Sequence, residues 1–101
     1  MNYDTNKHYA NEYGVHLNEY LKNTFSYEQL NGWYTMQVLK YIVRAGKKEG
    51  ESYDKDRKKT LDYASELANL SNEHKLTHYT TEDIMGFAQD IVDDFKQWKG
   101  E

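Results

Sequence analysis

Apolar residues recur at helical spacing in several stretches of the chain, with polar breaks between them. Over "VHLNEYLKNTF", Leu17, Tyr20, Leu21 and Phe25 predict a short first helix. Ser26, two residues before Glu28, stands where the N-cap of a second helix belongs. From Tyr27 to Ala45 the residues Leu30, Trp33, Tyr34, Val38, Tyr41, Ile42 and Ala45 follow the i, i+3, i+4 rule. Met36, Leu39 and Val43 follow it on a different face. A helix that is apolar nearly all round must be buried on more than one side. A chain of 101 residues can hardly wrap such a helix alone, so self-association through it is expected. One polar stripe remains, holding Gln37, Lys40, Arg44 and Lys47, with Trp33 at its N-terminal end.

Gly46 is predicted to end this helix in the left-handed conformation, with Gly50 continuing the turn. A third helix is expected from Tyr53 to Asn72. Leu61, Ala64 and Ala68 mark one buried face, and Tyr63, Leu67 and Leu70 a second. "NEHKLTHY" reads as a connector, after which Thr80 or Thr81 caps an amphipathic C-terminal helix within residues 80–99. Ile84, Phe87, Ala88, Ile91, Phe95 and Trp98 form its apolar stripe, and Glu82, Asp83, Asp90, Asp93 and Asp94 lie mainly off it. The first fourteen residues show no period and read as an N-terminal arm, leaving 15–101 as the helical domain. Tyr13, Tyr20, Tyr27, Tyr34 and Tyr41 are seven apart, but Gly14 and the break near Ser26 interrupt any heptad seam, so the spacing is read as accidental. The expected fold is all-α: a single small domain of about four helices, a self-associating helical bundle.

Composition agrees with long, rarely interrupted helices, since the chain has no Pro and six Gly. With no Cys, disulfides and thiolate metal sites are excluded. His74 and His78 are four apart but lack a nearby third ligand, so no metal site is expected. No apolar run reaches the roughly 18 residues of a membrane span, and no secretory leader is legible, which points to a soluble cytoplasmic protein. Ten tyrosines suit half-buried surfaces with one apolar and one wet end.

The net charge of −4 argues against direct nucleic-acid binding, which relies on neutralised phosphates. The charge is uneven, however. Lys40 to Lys59 holds eight basic and four acidic residues, a net of +4, so the remainder carries −8. A basic middle facing an acidic remainder suggests a local anion site, or a dimer held partly by charge. "GKKEG" is no P-loop, because its first glycine follows a helix, at the end that repels anions. Lys47 and Lys48 there fit a cationic C-terminal cap. Lys40 and Arg44 admit two readings: a structural ion pair with Asp62 or Glu66, or a phosphate or carboxylate site with Arg44 as a bidentate fork. Lys59, in "KDRKK", reads as part of a solvated helix face that could complete an anion pocket. Asp62 with Glu66, and Asp90 with Asp93 and Asp94, have the spacing to hold Mg²⁺, but the dense Glu-x-x-Glu signature of the all-α pyrophosphohydrolases is missing.

"HY" at residues 8–9, "KYIVRAGKK" at 40–48 and "DRKKTLDY" at 56–63 together resemble the small tailed-phage domain family typified by the SaV protein of lactococcal phages. The resemblance covers roughly residues 8–70, and its middle motif is the specific part. It implies an early, non-structural phage role. Relatives include a nucleotide kinase of short-tailed coliphages that lacks a P-loop and works as an oligomer, and members linked to host abortive-infection systems through protein contacts. By motif, the resemblance puts His8, Tyr9, Lys40, Tyr41, Arg44, Gly46, Lys47, Lys59 and Tyr63 forward. One departure stands out: where the family pattern has Gly-Asn this chain has Met36-Gln37, and a methionine would obstruct close approach of a ligand to the helix.

The leading expectation is therefore a phage early accessory protein of the host cytoplasm that binds a nucleotide or other phosphate anion, in the manner of a nucleoside-monophosphate kinase. Lys40, Arg44 and Lys47 would hold phosphate with help from Lys59, and Tyr41 or Trp33 would stack on a base, near His8 and Tyr9. Nucleotide binding would bring Mg²⁺ with it. The rival is a non-enzymatic protein that inhibits or triggers a host or defence protein through its tyrosine-rich surface and the acids Asp90, Asp93 and Asp94.

Overall fold

The computed structural model describes residues 9–47, 49–50 and 52–100. Among these described residues four helices account for the architecture: α1 (Leu17–Thr24), α2 (Tyr27–Arg44), α3 (Tyr53–Lys75) and α4 (Thr81–Gln97). The fold is a small all-α domain. Among the described residues the β-type pairing is one isolated bridge, Ala10 to His16. No helix among the described residues is long and apolar enough to cross a membrane.

Each start is capped by the side chain that the local sequence offers. Ser26 and Gln29 form a reciprocal capping box at α2, and Thr80 and Asp83 form one at α4. Ser52 accepts from the Lys55 N–H at α3, and His16 Nδ1 accepts from the Asn18 N–H at α1. Gly46 closes α2 with φ +76°, and a Cβ there would sit 3.5 Å from the Tyr53 side chain. The positive φ is what favours glycine at this turn, since a Cβ at that distance would make only ordinary contact with α3.

α2 and α3 pack as an antiparallel hairpin, and α4 closes the open side of the pair. Leu30, Tyr34 and Val38 of α2 meet Ala64, Leu67 and Ala68 of α3, with Ile84 and Ala88 of α4 as the third wall. Small Ala64, Ala68 and Ala88 let the helices approach closely, while Tyr34 supplies the bulk. α1 contributes no fully buried residue and lies at the edge.

Two features differ from the sequence reading. α3 runs on to Lys75, three residues past Asn72, and ends at Leu76 in the left-handed region. Asn72 explains the extension: its amide donates to the Tyr79 carbonyl, and its oxygen accepts from the Tyr79 N–H and the Thr77 hydroxyl. The connector is thus tied back onto a turn that is still helical. In α4 the buried line is Ile84, Ala88 and Val92, whereas Phe87, Ile91, Phe95 and Trp98 stay exposed. The apolar stripe of α4 is wider than the face that the chain itself can cover.

Tyr34 is the largest fully buried side chain, and its hydroxyl donates to Asn18 Oδ1 at 2.6 Å. Burial, reinforced by the negative charge of Glu66, pushes its pKa up to about 12. A pKa raised above the ordinary 10.0 means that the contribution to stability is full below pH 10 and is lost as pH rises towards 12. Thermal melts across that range should show an alkaline decline that Tyr34→Phe lacks. The same variant should lose about 1 kcal/mol at neutral pH with its hydrogen bond.

Candidate functional site

Because α2 and α3 are antiparallel about Gly50, residues equally far from it face each other. Arg44 and Asp56 each lie six positions away, and their side chains pair at 2.8 Å. Asp56 is 0 % exposed, in the first turn of α3, while Arg44 lies in the last turn of α2. Both positions suit the local helix dipoles, an acid at an N-terminus and a cation at a C-terminus. The Arg44 hydrogen bond, then the Arg44 charge, the Gly46 N–H and Lys59, hold the Asp56 carboxyl below its ordinary 3.8 despite burial. The sequence reading put Asp62 or Glu66 opposite the cations. Those acids lie too far along α3: Glu66 pairs instead with Lys22 of α1 at 3.5 Å, and Asp62 faces a cleft.

That cleft, of about 380 Å³, lies between α1, α2 and α3. Trp33 and Tyr41 of α2 and Tyr63 of α3 form its aromatic wall. Tyr41 and Tyr63 are stacked 5.8 Å apart with planes 7° from parallel, and Trp33 meets Tyr63 edge-on at 5.6 Å. Tyr9 and the buried His16 line the opposite side, with Leu17, Asn18 and Leu21. His16 is fixed by its cap bond, with Nδ1 accepting from the Asn18 N–H at 3.0 Å.

Three cations surround the Tyr41 ring. Arg44 Cζ is 4.5 Å from its centroid, Lys40 Nζ 4.7 Å and Lys59 Nζ 5.2 Å. Each gains from the face of the ring, but they repel one another. Asp56 offsets Arg44, and Asp62 lines the cleft beside Lys59. Among the described residues no carboxylate forms an ion pair with Lys40. The result is an aromatic cleft with a cationic rim, suited to a flat ring that carries negative charge.

The residues singled out from sequence are therefore divided. Trp33, Tyr41, Lys59 and Tyr9 line the cleft, and Lys40 and Arg44 join it through the Tyr41 ring. Lys47 sits past the Gly46 turn in a different hollow, beside Tyr53 and Lys96. His8 and Lys48 lie outside the described residues. Met36, the departure from the family pattern, is not in the cleft at all; it lines a groove against α4. Asp90, Asp93 and Asp94 are exposed on α4, with Asp93 accepting from Gln89. His74 stacks on Tyr27 at 3.9 Å and is not among the residues lining the cleft. Among the described residues no group of three or more His, Asp or Glu is placed to hold a metal ion. Asp56 and His16 were the residues missed. Asp56 was legible from the hairpin register about Gly50, whereas nothing local in the sequence marks His16.

Fold and site together define a small all-α protein with an aromatic, cation-rimmed cleft at a helical hairpin. The profile of a family described as "Protein of unknown function (DUF3310)" matches residues 3–65, and the chain belongs to that family. It is 83% identical over 101 residues to the SaV protein of Lactococcus phage p2, and 80% identical to the SaV protein of Lactococcus phage SK1. Each alignment covers all of this chain and 79% of the relative. These similarities place it among bacteriophage proteins. No solved structure matches the chain.

The Arg44–Asp56 pair yields a stability prediction. Arg44→Ala should destabilise more than Lys40→Ala or Lys59→Ala, because it strands a buried carboxylate. Adding Asp56→Asn to Arg44→Ala should recover part of the loss. Because the Asp56 pKa is lowered, its contribution is present above pH 3.8 and is lost as pH falls through the lower folded value. Acid melts of Asp56→Asn should lack that part of the decline.

Proposed function

We propose that this phage protein binds a nucleotide, or another ring-bearing phosphate anion, in the cleft between α1, α2 and α3. The observation that carries this reading is the clustering of Lys40, Arg44 and Lys59 around Tyr41, in a wall shared with Trp33 and Tyr63. A base stacks on the aromatic wall, and Lys40 and Lys59 take the phosphate as point charges. Arg44 contributes as a member of the Asp56 pair, holding the Tyr41 ring and the register rather than forking onto the ligand. Transfer of a phosphoryl group, as in a nucleoside-monophosphate kinase, would further need Mg²⁺ and an acid to hold it. Asp62 is the carboxylate that the cleft offers for that role. In this reading the protein is an early accessory factor that works as a homo-oligomer in the host cytoplasm.

A second reading is favoured by exposure. Tyr13 and Tyr20 near the N-terminus, and Asp90, Asp93 and Asp94 on α4, are open to solvent. Such a surface suits contact with a host or defence protein that the phage inhibits or triggers, with no chemistry in the cleft.

Deoxynucleoside mono- and triphosphates with Mg²⁺ should quench Trp33 fluorescence and raise the melting temperature. At about 100 times the dissociation constant the stabilisation should reach about 2.7 kcal/mol. Lys59→Ala and Trp33→Ala should abolish the shift while leaving the circular dichroism unchanged. No shift with any nucleotide would remove the cleft reading and leave the protein-contact reading.

A further inference from the structure

We propose that the hollow at the open end of the α2–α3 hairpin, walled by α4, is a binding site for a small aromatic carboxylate. It shares no lining residue with the cleft, and it is independent of what the cleft binds.

Stripes from three helices enclose this hollow of about 330 Å³. α2 brings Tyr27, Asn31 and Thr35, and α3 brings Leu67, Ser71 and Lys75, each set spaced to share one helix face. Ile84 and Ala88 of α4 complete the wall. The space exists because Thr35, Ser71 and Ala88 are small where a bundle core would otherwise be filled by larger apolar side chains. Its inner end is apolar: Val38, Leu67, Ile84 and Ala88 are all buried. An engineered apolar cavity of roughly 150 Å³ takes benzene, so this one has room for a ring and a short substituent. Tyr79 and Phe87 meet edge-on at 5.7 Å along the outer side and offer ring surface to such a guest.

The other end is polar, and its groups converge. Asn31 Nδ2 donates to the Tyr27 hydroxyl, which donates to Ser71 Oγ, both at 3.3 Å. An O–H···O bond ordinarily closes to about 2.7 Å, so the Tyr27–Ser71 bond is loose enough to yield to a stronger acceptor. Ser71 is 4 % exposed, and among the described residues the Tyr27 hydroxyl is the partner of its Oγ. A hydroxyl can engage a further partner, and here the remaining direction is the hollow. The stack with His74 holds the Tyr27 ring in place before any ligand arrives. Lys75 Nζ stands 5.6 Å from the centroid of that ring. Among the described residues no carboxylate pairs with Lys75, and no acid lines the hollow. A carboxylate at this end therefore meets one ammonium and two hydroxyls with no opposing charge, the setting in which charge-assisted hydrogen bonds are strong. Apolar depth with a cationic, hydroxyl-bearing mouth fits a ring that carries an acid, and disfavours an amine.

The probe is 3-phenylpropionate, titrated at neutral pH and followed by backbone amide chemical shifts. A ligand of this size should bind with a dissociation constant of about 1 mM, so titration to about 10 mM should approach saturation. The resonances of Tyr27, Ser71, Lys75 and Ala88 should move, and those of Trp33 and Tyr41 should not. Lys75→Gln, at an exposed position, should weaken the acid about tenfold and leave the neutral analogue 3-phenylpropan-1-ol unaffected. Thr35→Phe fills the hollow and should abolish binding with helical circular dichroism retained. If that variant fails to fold, the Lys75→Gln comparison decides alone. Lys59→Ala, which should silence the cleft, should bind 3-phenylpropionate as wild type does. Loss of nucleotide binding with this response intact removes only the cleft ligand. No movement at about 10 mM, movement centred on Trp33 and Tyr41, an alcohol or amine that binds as tightly as the acid, or wild-type affinity in Lys75→Gln would each overturn the proposal.

Discussion

The register of the α2–α3 hairpin depends on one buried contact, the pairing of Arg44 with Asp56. A carboxylate with no exposed surface cannot tolerate a slip of one residue along α3, because its guanidinium partner would be lost and its charge stranded. The pair sits where both helix dipoles favour it, at the closed end of the hairpin. From that anchor the facing partners follow: Lys59 comes to the Tyr41 ring, Tyr63 to Tyr41 and Trp33, and Glu66 within electrostatic reach of Tyr34. Most of the cleft is thus a consequence of a register set one to two turns away.

α2 then serves three environments at once. Leu30, Tyr34 and Val38 face the core, Trp33 and Tyr41 face the cleft, and Met36, Leu39 and Val43 face the α4 groove. This is the physical meaning of a helix that is apolar nearly all round. Only one of its faces is needed for the fold, and a second makes an aromatic wall. Lys40 lies where the cleft and the groove meet, lining the groove while its ammonium rests over Tyr41.

How far the sequence disclosed this can be judged residue by residue. The number of helices, the Ser26 cap and the left-handed Gly46 were legible, because capping chemistry and helical periodicity are local. The cationic stripe on α2 was legible too, but its acid partner was not. Choosing Asp62 or Glu66 over Asp56 amounted to a register error of two to three helical turns. The turn around Gly50 held the missing information, since a short connection fixes which residues lie opposite. Lys47 drew attention through its place in a basic run, yet the Gly46 turn carries it away from the cleft. The C-terminal end of α3 was missed because Asn72, a residue that usually favours loops, satisfies the loop from within the helix.

α4 shows why a segment beyond the family match can still be indispensable. The profile match ends at residue 65, within α3, and includes every cleft residue named here. Yet Val38 is fully buried only because Ile84 and Ala88 close the hairpin over it. The hairpin alone would expose that seam, so the cleft's rigidity depends on a helix that contributes nothing to its lining. Evenly spaced apolar residues on α4 do two jobs: one line seals the core, and the adjacent line, Phe87, Ile91 and Phe95, is left outward. A helix needed only as a lid would carry polar residues at those positions, as solvent-facing helix surfaces ordinarily do. The second apolar line is surplus to the monomer's fold, and that surplus is the strongest physical reason to look for its function outside a single chain.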